Sequence, residues 1–295
     1  LTKLEYTFKT DTLFKMLFVK HQDLLKNLVS TLLGIPQESI GHFEVTNPDI
    51  PPENLGEKFC RLDINMTVDG QRLALEIQVA REGGYTERVL YYWAREYSSS
   101  LPEGGKYRNL PRTVVISIID FNQFECAHFH SEFCPLEVTR HEHLSDKMSL
   151  HFFELQKLPA VELKASNKLL LWLSLFKANT EEELAQIKAL EEPIMEQAIN
   201  AYQRISVSPE FRERERLRHY ARLNEASAID DAEQREREKW QGVVADQAAE
   251  IAGKDVEIAG KDAEIAGKDA EIAGKDVEIE KLRLQIAELQ AKAGG

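Results

Sequence analysis

The sequence predicts an α/β fold: a mixed sheet flanked by helices, followed by further helices and a C-terminal heptad-repeat helical tail. Three observations predict it. Residues 1–163 alternate between helix-like and strand-like patterns in the order helix, two strands, helix, strand. Asp69-Gly70 joins two runs of alternating apolar residues, the strongest short-range signal for a β-hairpin. From Glu250 onward, near-identical units of the form EIAGKDV and EIAGKDA repeat every seven residues.

In chain order, residues 11–33 read as one amphipathic helix, with Leu13, Phe14, Leu17 and Phe18 followed by Leu24, Leu25, Leu28 and Leu32. Gly34 and Pro36 end it. Strands are expected at 58–68, 71–79, 112–120 and 149–155, with a Tyr- and Arg-rich helix over 85–100 between the second and third. After about residue 164 helices dominate. Thr180 and Glu183 have the spacing of a capping box, and Ser208-Pro209 places an N-cap before a Pro at the first helical position. The expected divisions are a core over 1–163, a helical extension over 164–207, a charged helical arm over 208–249 and the repeat tail over 250–295.

The tail's period makes Ile251, Ile258, Ile265, Ile272, Ile279 and Ile286 a-type positions of a heptad. Lys254, Lys261, Lys268 and Lys275 then fall at d, where a coiled coil wants an apolar side chain, and only Leu282 and Leu289 satisfy it. Each repeat also carries a Gly, at about 1 kcal/mol per helix-interior position. Residues 250–277 therefore read as a weakly helical spacer and 278–292 as the stronger coiled-coil segment, through which a homo-oligomer is expected. A solvated helix without a partner is the alternative. The Arg212–Arg222 run, interrupted by Glu213 and Glu215, reads as a solvated arm rather than a DNA-contacting patch.

With 295 residues, 43% hydrophobic and 29% charged, the chain can bury a full core, which excludes a disordered tail or a disulfide miniprotein. Its net charge of −13 argues against a nucleic-acid binder until it is divided along the chain. Residues 1–180 hold 20 Lys and Arg against 23 Asp and Glu, so most of the acidity lies in the remainder. Cys60, Cys126 and Cys134 lack paired spacing, consistent with a reducing, cytoplasmic setting. The longest nearly apolar stretch, KLLLWLSLF at 168–176, is far short of the roughly 20 residues of a membrane span, and no membrane partner is expected.

The chemistry concentrates on the hairpin. Leu62, Ile64, Met66 and Val68 alternate onto one face, matched by Leu73, Leu75, Ile77 and Val79 on the partner strand. Arg61, Asp63, Asn65, Ala74, Glu76 and Gln78 share the other. A two-residue loop sets Val68 opposite Gln71, and counting back sets Asp63 opposite Glu76 and Arg61 opposite Gln78. Like charges directly opposed destabilise a strand pair. A divalent cation between them removes the conflict, since oxygen ligands suit Mg²⁺; a hydrated polar face is the other reading, and spacing alone leaves both open.

Asp63, followed thirteen residues later by Glu76-x-Gln78, resembles the PD-(D/E)XK nuclease core with Gln in place of the final Lys. Its surroundings sharpen the likeness: DTLFK at Asp11–Lys15, Asn47-Pro48, Lys58, then Arg88, Tyr91, Tyr92, Tyr97, Tyr107, VVISIIDF, FFELQKL and LLLWLSLF. Together these resemble the Rpn family of recombination-promoting nucleases, also described as PD-(D/E)XK family transposases. The resemblance implies a restriction-endonuclease-like core and a DNA endonuclease acting in recombination or mobile-element biology. It implies Mg²⁺ as cofactor, with Mn²⁺ as a substitute, and Asp63 and Glu76 as its ligands. Asp11 is expected near the site, paired with Lys15 one turn on. Gln78 is in keeping with this branch, but a neutral amide brings no positive charge, so activity is expected either to be slow or to borrow a cation from Arg61, Lys58 or Lys15.

On the following helix Tyr85, Arg88, Tyr92 and Arg95 recur at spacings of three and four. With Arg61, the residues Arg88, Tyr92 and Arg95 are the expected DNA contacts, although packing on the sheet is the competing role for the tyrosines. Cys126, His128, His130 and Cys134, with His141, His143 and His151, crowd a short segment. The alternation of residues 126, 128 and 130 suits one face of a strand better than the paired spacing of a zinc site. The alternative function is a catalytically weak or inactive DNA-binding or assembly protein of the same fold.

Overall fold

A computed structural model describes residues 2–46, 49–50, 60–61 and 64–293, with the backbone alone described at 49–50, 60–61, 221–222, 225, 288 and 290–293. Asn47, Pro48, Lys58, Leu62 and Asp63 lie outside the described residues, so the expected Asp63–Glu76 pair does too. The chain divides into two compact units, Leu1–Arg218 and His219–Gly295.

In the first unit, α1 (Asp11–Lys20) and α2 (Gln22–Leu33) precede β1 (Phe43–Thr46), β2 (Asp49–Ile50), β3 (Cys60–Arg61), β4 (Ile64–Val68) and β5 (Gln71–Gln78). Then come α3 (Tyr85–Ser99), β6 (Thr113–Ile119), β7 (His130–Phe133), β8 (Met148–Glu154), α4 (Lys168–Lys177), α5 (Glu181–Lys188), α6 (Pro193–Ser206) and the start of α7 (Pro209–Ala293). A six-stranded sheet is ordered β1-β4-β5-β6-β8-β7; β2 pairs with β3 separately. The pairs β5–β6 and β6–β8 are parallel, and the outer pairs are antiparallel.

The hairpin forms as expected. Val68 pairs with Gln71 and the register runs to Ile64 opposite Leu75. Asp69 and Gly70 both adopt positive φ (47° and 78°), the conformation a tight two-residue turn requires. Asp69 also accepts the His42 N–H at 2.7 Å.

Both faces of the sheet are covered, which is why β6 is buried along its whole length rather than alternating. Ile64, Met66, Val68, Leu73, Leu75 and Ile77 join Val114, Ile116 and Ile118 in a core shared with α1, α2, α4 and α6. On the opposite face, Ala74, Val115, Ile119, Leu150 and Phe152 meet Tyr85 and Val89 of α3. Among the described residues of the hairpin's polar side, Asn65, Ala74 and Glu76 are buried.

Two sequence expectations change. Residues 11–33 form two helices, not one, because His21 leaves the helical region (φ −121°, ψ 74°). Its position continues the buried stripe but carries a polar ring, so a straight helix gains little there. Residues 126 and 128 are not in a strand; only His130 is, at the start of β7. Glu154 gathers the N–H groups of Gln123 and Phe124, and its own N–H reaches the Phe129 carbonyl, fixing the intervening residues as a loop. The expected caps are present: the Thr180–Glu183 box is reciprocal, and Ser208 Oγ accepts from Phe211 N–H. Phe211 is fully buried edge-on to Tyr6 and anchors the start of α7 on the core, while residues 212–214, 216 and 217 are exposed, as a solvated arm requires.

A polar chain crosses β7 and β8 beside this core. Ser149 Oγ lies 2.9 Å from both Glu132 Oε1 and His151 Nε2, and His151 Nδ1 is 3.1 Å from His130 Nε2. One continuous direction satisfies every group: His130 donates to His151, His151 to Ser149 and Ser149 to Glu132. That network holds His151 neutral. Burial pushes its pKa down to about 4; Glu132 opposes this, while His130 and Arg112 add to it. Between about pH 6.5 and pH 4 the unfolded chain binds a proton that the folded chain refuses, so stability falls with falling pH, by about 2–3 kcal/mol at most. Urea unfolding at both ends of that window should show a steeper loss for wild type than for His151→Asn. Equal losses would contradict the neutral network.

In the second unit the helix runs through the repeats without interruption to Ala293. The d-position lysines 254, 261, 268 and 275 each pair with the glutamate four residues earlier. Such a pair contributes about 0.3–0.5 kcal/mol, less than the roughly 1 kcal/mol a glycine costs. The isoleucines of the repeat are all about half exposed or more. Among the described residues, no helix is long and apolar enough to cross a membrane.

Candidate active site

β5 carries Ala74, Glu76 and Gln78 onto the face that α3 covers, and Glu76 and Gln78 lie toward its carboxyl end. In sheets with parallel strands this end is where ligands bind. Glu76 is 6% exposed. Its Oε1 accepts from Arg88 at 3.2 Å, and its Oε2 has no hydrogen-bond partner among the described residues. Burial pushes its pKa up to about 7; Arg88 and Lys15 work against this, and Glu82 works with it.

A second buried carboxylate at the same end of the sheet makes the contrast. Glu154 accepts from two backbone N–H groups and from Lys157 Nζ at 2.6 Å, which leaves neither oxygen short of a donor. Glu154 is committed to holding a loop. Glu76 is not committed to any such task, and Ser117, its neighbour across the parallel pair, also has a buried hydroxyl without a partner among the described residues.

Arg88 organises what surrounds Glu76. One guanidinium nitrogen donates to Glu76 Oε1 and, at 2.8 Å, to Gln78 Oε1; the other donates to Glu82 at 2.5 Å. The guanidinium also sits over the Tyr85 ring, 5.1 Å from its centroid. Gln78 completes the set by donating to the Ala80 carbonyl at 2.9 Å and to Glu82 at 3.2 Å. Burial opposes the charge on Arg88, but Glu76 and Glu82 more than offset it and raise its pKa.

Asp11 opens α1 and pairs with Lys15 at 3.3 Å, as its spacing predicts. It also meets Arg218 of α7, whose guanidinium reaches Thr12 at 3.3 Å. Lys15 in turn is near enough to favour the ionised form of Glu76. Asp120, just past β6, hydrogen-bonds through its N–H to the Gln78 carbonyl, and its carboxylate is held by Lys9 and Gln156, each at 2.6 Å.

The structure thus brings Glu76, Gln78, Arg88 and Lys15 together, with Asp11 behind Lys15. Asp63 and the Arg61 side chain lie outside the described residues. Tyr85 is buried against Phe121 and Phe152, and Tyr92, half-buried, packs partly on the same core. Arg95 is half-buried farther along α3. Among the described residues the cation that touches Gln78 is Arg88. Sequence reasoning also missed Glu82, Arg218, Lys9 and Asp120. No local sequence pattern marked these contacts.

A family model for the PD-(D/E)XK nuclease family transposase matches residues 8–232. The chain belongs to that family. The match takes in every strand of the sheet, α1 to α6 and the opening of α7, and it stops before the repeats. Comparisons with curated proteins and with solved structures find no match. A PD-(D/E)XK nuclease family transposase has a nuclease- or transposase-like role on DNA, and such nucleases typically use divalent metals. The residues present fit a hard cation in donor type: Glu76 offers a buried oxygen that lacks a partner, in a place where its ionised form is otherwise disfavoured. No group of three or more His, Cys, Asp or Glu side chains suited to a metal occurs among the described residues. The second carboxylate implied by the family motif, Asp63, lies outside them.

Proposed function

We propose that the chain is a Mg²⁺-dependent DNA endonuclease, with Mn²⁺ as a substitute, whose cleavage promotes recombination or mobile-element activity. The observation that carries this reading is Glu76: a buried carboxylate with one oxygen unsatisfied at the carboxyl end of the sheet, in a chain of this family. Asp63 and Glu76 are the proposed metal ligands. A divalent cation there supplies a water of lowered pKa and a Lewis acid for a phosphoryl oxygen.

The chain's own residues do the rest. Gln78 orients an oxygen by hydrogen bonding, Arg88 brings the positive charge that its amide lacks, and Asp11 positions Lys15 beside Glu76. Arg61, Arg88, Tyr92 and Arg95 are the proposed DNA contacts. Nicking of supercoiled plasmid with Mg²⁺, with Ca²⁺ and with chelator tests the reading. Cleavage is expected with Mg²⁺ and absent with chelator; no cleavage under any metal would overturn it.

Self-association through the tail is proposed with it, chiefly by Ile279, Leu282, Ile286 and Leu289, where a and d are both apolar. Deleting 278–295 is expected to lower the mass seen by light scattering, whereas deleting two upstream repeats is not. A full-length monomer at tens of micromolar would exclude such an assembly.

A further inference from the structure

Arg88 and Gln78 present two convergent donors to a single anion, and the anion they hold is the side chain of Glu82. One Glu82 oxygen accepts from Arg88 at 2.5 Å and the other from Gln78 Nε2 at 3.2 Å. Gln78 can make this contact in only one amide orientation, because its Oε1 must face the Arg88 guanidinium and its Nε2 the Ala80 carbonyl. Both donors are therefore fixed from behind, Arg88 by Glu76 and Gln78 by the backbone. What they fix is a recess for two negative oxygens on one central atom.

A carboxylate has that shape, and so does a phosphodiester, whose two non-bridging oxygens match a guanidinium and an amide equally well. Glu82 is poorly suited to be a permanent occupant. Its side chain is 56% exposed, and it sits in the stretch 79–84, every residue of which is exposed. Gly83 has nothing within 4 Å of where a Cβ would stand, and Gly84 takes a left-handed φ of 73°. The segment can swing away without uncovering any core. Glu154, a structural carboxylate of this domain, is instead buried and saturated with donors.

We propose that Arg88 and Gln78 form a phosphate-binding subsite for the DNA backbone, and that Glu82 occupies it in the free protein as a resident substitute for a phosphodiester. DNA must displace Glu82 to enter. The inference rests on the nuclease reading for its substrate, but binding alone tests it.

A short DNA duplex in chelator is titrated by fluorescence anisotropy with wild type, Glu82→Gln and Glu87→Gln. Glu87 is a second exposed acid, in the first turn of α3, with no part in the subsite. Removing the competitor should tighten binding about two- to fivefold, the range an exposed ion pair is worth. The slope of log K against log salt should steepen, because no displaced carboxylate takes up a counterion as the phosphate gives one up. Glu87→Gln, which lowers the negative charge equally, should show a smaller gain and no change of slope. In an Arg88→Gln background the Glu82→Gln gain should fall to that of Glu87→Gln. Equal effects of Glu82→Gln and Glu87→Gln, including no effect of either, or a Glu82→Gln gain that still exceeds that of Glu87→Gln without Arg88, would overturn the subsite. Plasmid nicking separates the two ideas. A specific Glu82 effect without cleavage under any metal sinks the nuclease reading alone, and cleavage with no such effect sinks the subsite alone.

Discussion

Glu76→Ala is expected to lower Mg²⁺-dependent plasmid nicking at least about 10²-fold, because the several kcal/mol a bound metal supplies convert at about 1.4 kcal/mol per tenfold. Asp63→Ala should match it. Loss of fold is not expected to explain the Glu76 result, since Arg88 keeps Gln78 and Glu82 as partners when Glu76 is cut back. Circular dichroism of the purified variant checks this. If both variants stay folded and remain within about tenfold of wild type, the hairpin is not the catalytic element.

Replacing the same residue by Gln should raise stability when no metal is present. Glu76 has its pKa moved from 4.5 to about 7 by burial, which corresponds to about 3 kcal/mol against the ionised form. A raised carboxyl pKa means the cost is absent below about pH 4.5 and complete above about pH 7, so stability falls as pH rises through that window. The amide has the same shape without the charge. At about pH 8 in chelator, Glu76→Gln should melt roughly 5–10 °C above wild type, a gap that closes toward pH 4.5. Saturating Mg²⁺ should then stabilise wild type and leave the variant unchanged, as expected of a ligand bound only by the folded state. A variant that melts lower in chelator, or gains as much from Mg²⁺ as wild type, would show that Glu76 is not a strained metal ligand.

What was legible in the sequence was local or periodic. Asp69-Gly70 announced the turn and, through it, the register of five residue pairs. The alternation along β5 put Glu76 and Gln78 on one face before any helix was known to cover them. Thr180, Glu183 and Ser208 marked helix starts by their spacing. What could not be read was long-range. Arg218 reaches Asp11 across 207 positions, and no periodicity connects them. Lys9 and Asp120 meet only because the segment before α1 lies against the end of β6. The break at His21 was hidden because residues 11–33 carry an acceptable helical stripe on both sides of it, and tertiary packing chose the bend. Glu82 lies four residues from Gln78 and six from Arg88, but its contact depends on how an irregular loop closes.

The unbroken helix through the repeats makes the tail a ruler with a fixed graduation. One seven-residue unit adds about 10.5 Å at 1.5 Å per residue. Seven residues overshoot or undershoot whole turns by only about 20°, so gain or loss of a unit changes reach while keeping the far segment 278–292 on nearly the same side. A single-residue insertion would instead rotate that segment by about 100°. The four units from Glu250 to Val277 are nearly identical, so adding or removing a whole unit preserves the pattern. Each such step is a change of length that leaves the bearing of the distal helix face almost intact.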